Sequence, residues 1–390
     1  MLIGVLNKVQ VGNLPGVSTF QHFNLPTFFP IFAATFMTDI KTLYQQAIAL
    51  LQQLIAIPSF SREEGLTADL IEHFLQERQV KTHRKLNNIW AWNKYFDTAK
   101  PTILLNSHHD TVKPNSGYTR DPFDAKIEDG KLYGLGSNDA GGCLVSLIAV
   151  FLYFYDREDL KYNFCLAVSA EEEISGVNGL ELIIPELGKL DFGIVGEPTQ
   201  MQLAIAEKGL MVLDCVAHGK AGHAAREEGD NAIYKALPDI EWFRTFRFPK
   251  ESAVFGPVKM SVTIVNAGSQ HNVVPASCTF VVDVRVTDSY RNEEVLEIIR
   301  QHVKCGVTPR STRLKPSKID IDHPIVHAGI ALGRTTYGSP TTSDQSLLDI
   351  PSLKVGPGDS ARSHTADEYV YADEIRDGIE LYIKMLESII

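Results

Sequence analysis

The chain has 390 residues, of which 44% are hydrophobic, and a formal net charge of −11. That much apolar material exceeds what one small core needs and predicts two domains. The acidic surplus, with no basic run or stripe, excludes a general nucleic-acid binder, whose phosphate contacts need a basic surface.

Residues 1–38 contain no Asp or Glu, one Lys and no Arg. LPTFFPIFAATF (25–36) is apolar but broken by Pro26 and Pro30, a poor signal peptide. The expectation is a natural start at Met37 and a loosely attached extension over 1–36. An amphipathic helix then follows over 39–55, capped by Thr38 or Asp39. A second helical period covers 64–78. NNIWAWN (87–93), TILLN (102–106), NFCLAVS (163–169) and FGIVG (192–196) read as buried strands. GCLVSLIAVFLYFY (142–155) reads as a buried helix between two of them. No apolar run reaches the ~18 residues of a membrane span. This strand–helix alternation predicts an α/β, doubly wound layer.

The pattern changes near Gly209. LMVLDCVAHG (210–219) alternates like a half-exposed strand, and a helical stretch follows over 230–247. VKMSVTIVNAG (258–268) and ASCTFVVDVRV (276–286) are strands, NEEVLEIIRQHV (292–303) is a helix, and a last strand lies near 307–314. The order βαββαβ is the ferredoxin-like pattern. After Asp320 the first domain resumes and closes on a helix at 372–389. The expected organisation is a catalytic domain in two parts, 37–207 and 320–390, with residues 208–319 inserted. The five cysteines are widely spaced without a CxxC, which argues against a disulfide framework or a thiolate zinc site and fits a reducing cytoplasm.

Several apolar strands run into acids or histidines. TILLN leads to His108 and Asp110, LYGLGSND to Asp139, NFCLAVSA to Glu171, Glu172 and Glu173, and FGIVG to Glu197. The carboxyl ends of strands form the binding crevice of an open α/β sheet, so these groups are expected to converge. Carboxylates crowded at low dielectric repel unless some are protonated or cations neutralise them, and a histidine among them favours metal. In extended chain, residues i and i+2 face the same way, so His108 and Asp110 share a side and His109 points away. Asp110 then suits the role of fixing a ligating imidazole. Taken singly, each residue has an ordinary reading. His108 fits a polar loop, Asp139 a helix N-cap, the AEEEISG run a solvated helix start, Glu197 a loop acid, and His364 the surface. The joint arrangement is what favours a cation site.

The motifs SHHDTV, GLGSNDAGG, AEEEISG, VGEPT, GKAGHAA, NVVP with DVR, and SHTADE, in that order over residues 40–390, resemble the co-catalytic zinc aminoacylase family. That family includes acetylornithine deacetylase, succinyl-diaminopimelate desuccinylase and glutamate carboxypeptidase. GPGDSARSHTADEY and TTSDQSLL look most like acetylornithine deacetylases, which implies hydrolysis of an N-acyl-L-ornithine in arginine biosynthesis; an N-succinyl-ornithine or succinyl-diaminopimelate desuccinylase, or a metallo-dipeptidase or carboxypeptidase, is the alternative. The resemblance implies two Zn2+ ions, with Co2+ or Mn2+ as substitutes. His108 and Glu197 would hold one, Glu173 and His364 the other, and Asp139 would bridge them. It further implies that Asp110 orients His108 and Glu172 is the general base. His223 would stabilise the oxyanion from the lid of a partner subunit, and Asn272 and Arg285 would bind substrate. A homodimer through the inserted lid domain is expected, acting in the cytoplasm on a small N-acyl amino acid, with no nucleic-acid or membrane partner. The acidic motif here reads Glu-Glu-Glu where the family usually has Asp-Glu-Glu, and Ser107 stands where a Gly is usual. Two other classes compete. An inactive metal-binding relative is disfavoured by the intact Glu172. A phosphoester hydrolase is disfavoured because no Lys/Arg cluster surrounds the motifs.

Overall fold

The computed structural model describes residues 39–390, so the expectations for 1–36 and for a start at Met37 lie outside the described residues. Helix α1 (Ile40–Ile55) is capped by Asp39, whose Oδ1 accepts from the Lys41 N–H at 2.9 Å. It buries Leu43, Ala47, Leu50, Leu51 and Leu54, the stripe that a 3.6-residue period puts on one face. After α2 (Gly65–Gln76) come β1 (Thr82–Lys85), β2 (Asn88–Trp92) and β3 (Thr102–His108), then α3 (Gly142–Tyr155), β4 (Asn163–Ser169), β5 (Phe192–Val195) and β6 (Leu203–Glu207). The chain next builds β7 (Gly209–His218), α4 (Ala232–Thr245), β8 (Lys259–Ala267), β9 (Ser277–Val286), α5 (Asn292–His302) and β10 (Gly306–Pro309). It ends with β11 (Ser317–Lys318), α6 (Pro324–Ala331), β12 (Thr336–Ser339), β13 (Ser352–Lys354) and α7 (Ala372–Glu387).

The large sheet has the order β1-β2-β4-β3-β5-β13-β6-β11, and β12 also pairs with β6. Its centre is parallel, β3 lying between β4 and β5, while β1 and β2 form an antiparallel edge. Both faces are covered, which is why β3 is buried along its whole length. Ile103 and Leu105 pack into the larger core with α1, α3 and α7, whereas Leu104 faces a second cluster with Leu180, Ile183 and Leu348. The stretch Ser137–Tyr155 is the one helix among the described residues long and apolar enough to cross a membrane, and 83% of it lies inside the protein. It is the central core helix.

Between β6 and β11 the chain leaves the large sheet. There β8-β9-β7-β10 form a separate antiparallel sheet with α4 and α5. Its strand order and its βαββαβ sequence are ferredoxin-like. Alternate β7 residues Met211, Leu213 and Cys215 join Phe243, Phe280, Val282, Val295 and Ile299 in an independent core.

Candidate metal centre

Parallel pairing decides where the strand-end residues meet. Because β4 and β5 flank β3 in the same direction, their carboxyl ends open on one crevice. β3 ends on His108 itself. β5 is followed by Gly196 and Glu197. A Cβ on Gly196 would lie 2.7 Å from Leu147 Cδ1, so only glycine lets this segment pack against α3. β4 is followed by a turn in which Glu171 is left-handed (φ 54°), and Glu172–Ile174 make a single tight helical turn. Asp139 lies in the irregular turn before α3, with φ −119° and ψ 99°.

His108 and these acids come together. His108 Nε2 stands 3.4 Å from Asp139 Oδ1, 3.6 Å from Glu197 Oε1 and 3.9 Å from Glu172 Oε2. On the other side of Asp139, His364 Nε2 lies 3.7 Å from its Oδ2 and 2.9 Å from Glu173 Oε2. Asp139 thus faces both imidazoles with different oxygens. Donor atoms of His108, Asp139 and Glu173 lie within 4.8 Å of one another, as do those of His108, Glu172 and Glu197.

His108 Nε2 is buried and has no hydrogen-bond partner. The carboxylates that face it stand beyond the usual hydrogen-bond distance of ~2.7–3.2 Å. An orphaned imidazole nitrogen among carboxylate oxygens is a donor set for zinc and similar divalent ions, and the residues present fit such a group. The electrostatics agree. Burial, reinforced by Asp139, pushes Glu197 up to about 8. Burial also raises Glu172 well above the carboxylate range, against the pull of His108. Burial alone would lower His108, but Asp110 and Asp139 outweigh it and hold the imidazole well above its ordinary value. Its bond to Glu173 carries His364 up to about 9. The cluster demands positive charge, which protons or divalent cations can supply.

The supporting residues differ from the sequence expectation in detail. His108 Nδ1 donates to the main-chain carbonyl of Asp110 at 3.0 Å, with the Asp110 carboxylate farther off at 3.4 Å. That carboxylate accepts from Ser61 Oγ at 2.7 Å and from the N–H groups of Glu172 and Glu173 at 3.0 and 3.2 Å. It therefore orients the acidic turn more directly than the imidazole. His109 points away as expected. It is buried between Thr67 Oγ1 and the Asn87 carbonyl, and burial lowers it to about 4. Glu171 also turns away and accepts from Asn178 Nδ2 at 3.0 Å, leaving Glu172 and Glu173 for the crevice.

Three expected residues lie elsewhere. His223 is exposed on a short ribbon pairing Gly222–His223 with Val273–Val274, and no hydrogen bond or ion pair among the described residues joins it to the cluster. Asn272 is exposed beside it, its carbonyl accepting from the Ala224 N–H at 3.0 Å. Arg285 does not present a free fork, because Asp283 fills it at 2.9 and 3.1 Å. The sequence reading missed Glu368, which is buried and takes the N–H groups of Gly136, Asn138 and Asp139. It stands four positions after His364, at the end of SHTADE, where nothing in the sequence singles it out from Asp367.

A family model described as Peptidase family M20/M25/M40 matches residues 104–388. A succinyl-diaminopimelate desuccinylase of Ruegeria is 25% identical over 376 residues, covering 87% of this chain and 94% of the relative. A [LysW]-lysine/[LysW]-ornithine hydrolase of Saccharolobus solfataricus is 26% identical over 361 residues, with 88% and 96% covered. Among solved structures, the aminopeptidase PepT of Bacillus cereus has the same fold with a TM-score of 0.71 at 17% identity, over 90% of this chain and 99% of that one. YXEP of Bacillus subtilis, described as a dinuclear metal binding peptidase, superposes with a TM-score of 0.67 at 16% identity, covering 89% and 98%. Matched over most of its length, the chain belongs to peptidase family M20/M25/M40.

Proposed function

We propose that this M20 hydrolase cleaves the amide of an N-acyl amino acid, specifically N-acetyl-L-ornithine to ornithine and acetate, in arginine biosynthesis. The observation that carries the hydrolytic reading is the orphaned His108 Nε2 set among Asp139, Glu172 and Glu197. His108 and Glu197 would hold one divalent ion, Glu173 and His364 the other, and Asp139 would reach both. Zinc is the ion proposed, and cobalt or manganese suits the same donors. When bound, such ions supply Lewis-acid activation of water and of the amide carbonyl.

The chain's own residues do the rest. Glu172 takes a proton from the attacking water at its carboxylate and delivers it to the leaving nitrogen as the C–N bond breaks. Asp110 keeps Glu172 and Glu173 aimed by holding their N–H groups. His223 would donate through Nε2 to the oxyanion of a neighbouring subunit, which its exposed position, with Nδ1 taken by the Ala225 N–H, supports. The exposed edge of β8, with Ile264 and Val265 about half accessible, supports a homodimer formed through the inserted sheet as a lid and dimerisation domain. Asn272 would contact substrate beside His223. Arg285 would bind a substrate carboxylate by exchanging Asp283 for it. The cysteines are all free, which supports the cytoplasmic reading.

A second reading has its own support. The relatives' printed names point to succinyl-diaminopimelate and to LysW-linked lysine or ornithine. These share with acetylornithine an acylated diamino acid, so a desuccinylase or LysW-type hydrolase is the alternative. The test is purified protein with zinc on N-acetylornithine, N-succinylornithine, succinyl-diaminopimelate, dipeptides and a phosphoester. Turnover of acetylornithine is expected to dominate. Glu172→Gln is expected to lower kcat by about 10²–10⁴-fold at unchanged metal content. A Glu172→Gln protein as fast as the parent removes that residue as base.

A further inference from the structure

The return linker from the inserted sheet, residues 310–316, sits against the acidic turn. Over residues 310–314 its main chain is tied to the insertion, whereas the Lys315 N–H already donates to the Ser346 carbonyl of the catalytic part at 3.0 Å. Asn292, buried at the start of α5, donates through Nδ2 to the carbonyls of Thr312 and Leu314 at 3.0 and 2.8 Å. The Leu314 carbonyl also accepts from Leu210 in β7 at 3.0 Å, and the Arg310 N–H donates to the Val212 carbonyl at 2.9 Å. Between these anchored carbonyls, the Arg313 side chain reaches the other way. Its Nη2 donates to the Ser175 carbonyl at 2.6 Å, and its Nη1 pairs with Glu181.

Ser175 closes the turn that carries Glu172 and Glu173, its N–H donating to the Glu172 carbonyl at 2.7 Å. Both ends of that turn are left-handed without glycine, Glu171 at φ 54° and Ser175 at φ 48°. Such conformations persist only when the surroundings enforce them. At the front the Asp110 carboxylate holds the Glu172 and Glu173 N–H groups. At the back the hold visible on the Ser175 carbonyl is the Arg313 guanidinium.

We propose that Arg313 is a positioning residue that couples the seating of the inserted module to the geometry of the Glu172–Glu173 turn. When the module is seated, the linker carries the guanidinium onto the Ser175 carbonyl, and the turn is clamped at both ends. When the module swings away, the linker follows α5 through Asn292, and the rear clamp releases. The two acids are in working position only with the module in place.

The proposal rests on the hydrolytic reading for its kinetic arm alone, and its structural arm is independent. The structural arm is amide hydrogen exchange over residues 171–176 in the full chain. Arg313→Ala is expected to exchange faster there than the parent, with α1 and α3 unchanged. Asn292→Ala, which does not touch the turn, is expected to show the same local effect. In the kinetic arm, Arg313→Ala is expected to lower kcat by about 10- to 100-fold with KM within about twofold, the signature of misplaced rather than missing groups. Arg313→Lys is expected to fall between, and added guanidinium ion is expected to restore part of the Arg313→Ala rate. Parent-like exchange over 171–176 in Arg313→Ala overturns the proposal whatever the kinetics show. Should the parent turn over none of the amides, the hydrolytic reading fails, and the exchange data still decide the clamp.

Discussion

Glu368 touches neither imidazole, yet its two carboxylate oxygens gather the N–H groups of Gly136, Asn138 and Asp139 itself. Burial raises its proton affinity to about 8, with Asp139 adding to the effect, so it is a costly residue to keep for structure alone. Groups that hold a ligand in place are commonly worth a factor of about 10–100 in metal affinity. Glu368→Ala is expected to weaken zinc binding by that order, measured by titration against a competing chelator, and an unaltered affinity would remove the positioning role. The same logic separates the three consecutive glutamates. Their identity in sequence says nothing of their direction. The left-handed backbone at Glu171 sends its carboxylate to Asn178 and releases the next two into the crevice.

Strand β13 carries a charge where an apolar residue is the usual choice. Lys354 is 3% exposed, and its Nζ lies 2.8 Å from Glu207 on β6, which is 0% exposed. Thr341 supplies its carbonyl and hydroxyl oxygens as further acceptors, and Ser343 donates to Glu207 through its N–H and hydroxyl at 2.8 and 2.7 Å. The pair thus joins two strands to the loop before Asp344. Removing one member strands a buried charge. Lys354→Met is expected to cost about 3–5 kcal/mol in urea unfolding, and adding Glu207→Gln is expected to recover most of it. A Lys354→Met protein as stable as the parent would refute the argument. Strands of this kind were hard to read in advance. The expected elements over 102–106 and 163–169 are apolar runs, whereas β12 is a short polar TYGS and β6 is a short LAIAE that pairs with it from a distant part of the chain.

The two modules have separate cores, and His223 stands on a ribbon of the inserted module with no hydrogen bond or ion pair to the cluster of its own chain among the described residues. If a second copy supplies that histidine, sites are shared across a twofold axis. Glu172→Gln and His223→Ala, each inactive alone, are then expected to complement on mixing and subunit exchange. Random pairing gives roughly a quarter of parental activity, because only mixed dimers hold one intact site. No recovery in mixtures shown by light scattering to be dimeric would refute a histidine acting across the interface.

The apolar runs, their alternation with helical periods, and the later shift to βαββαβ were legible along the chain, because burial and hydrogen bonding impose a period on each element locally. The motif order also marked His108, Asp139, Glu172, Glu173, Glu197 and His364 together. Their distances were not legible, because they arise from parallel pairing of β3 with β4 and β5 and from turns whose backbone is enforced from outside. Glu368, Arg313 and the Lys354–Glu207 pair were invisible for the same reason. Each acts on residues distant in sequence, and a one-dimensional pattern carries no record of which buried groups satisfy one another.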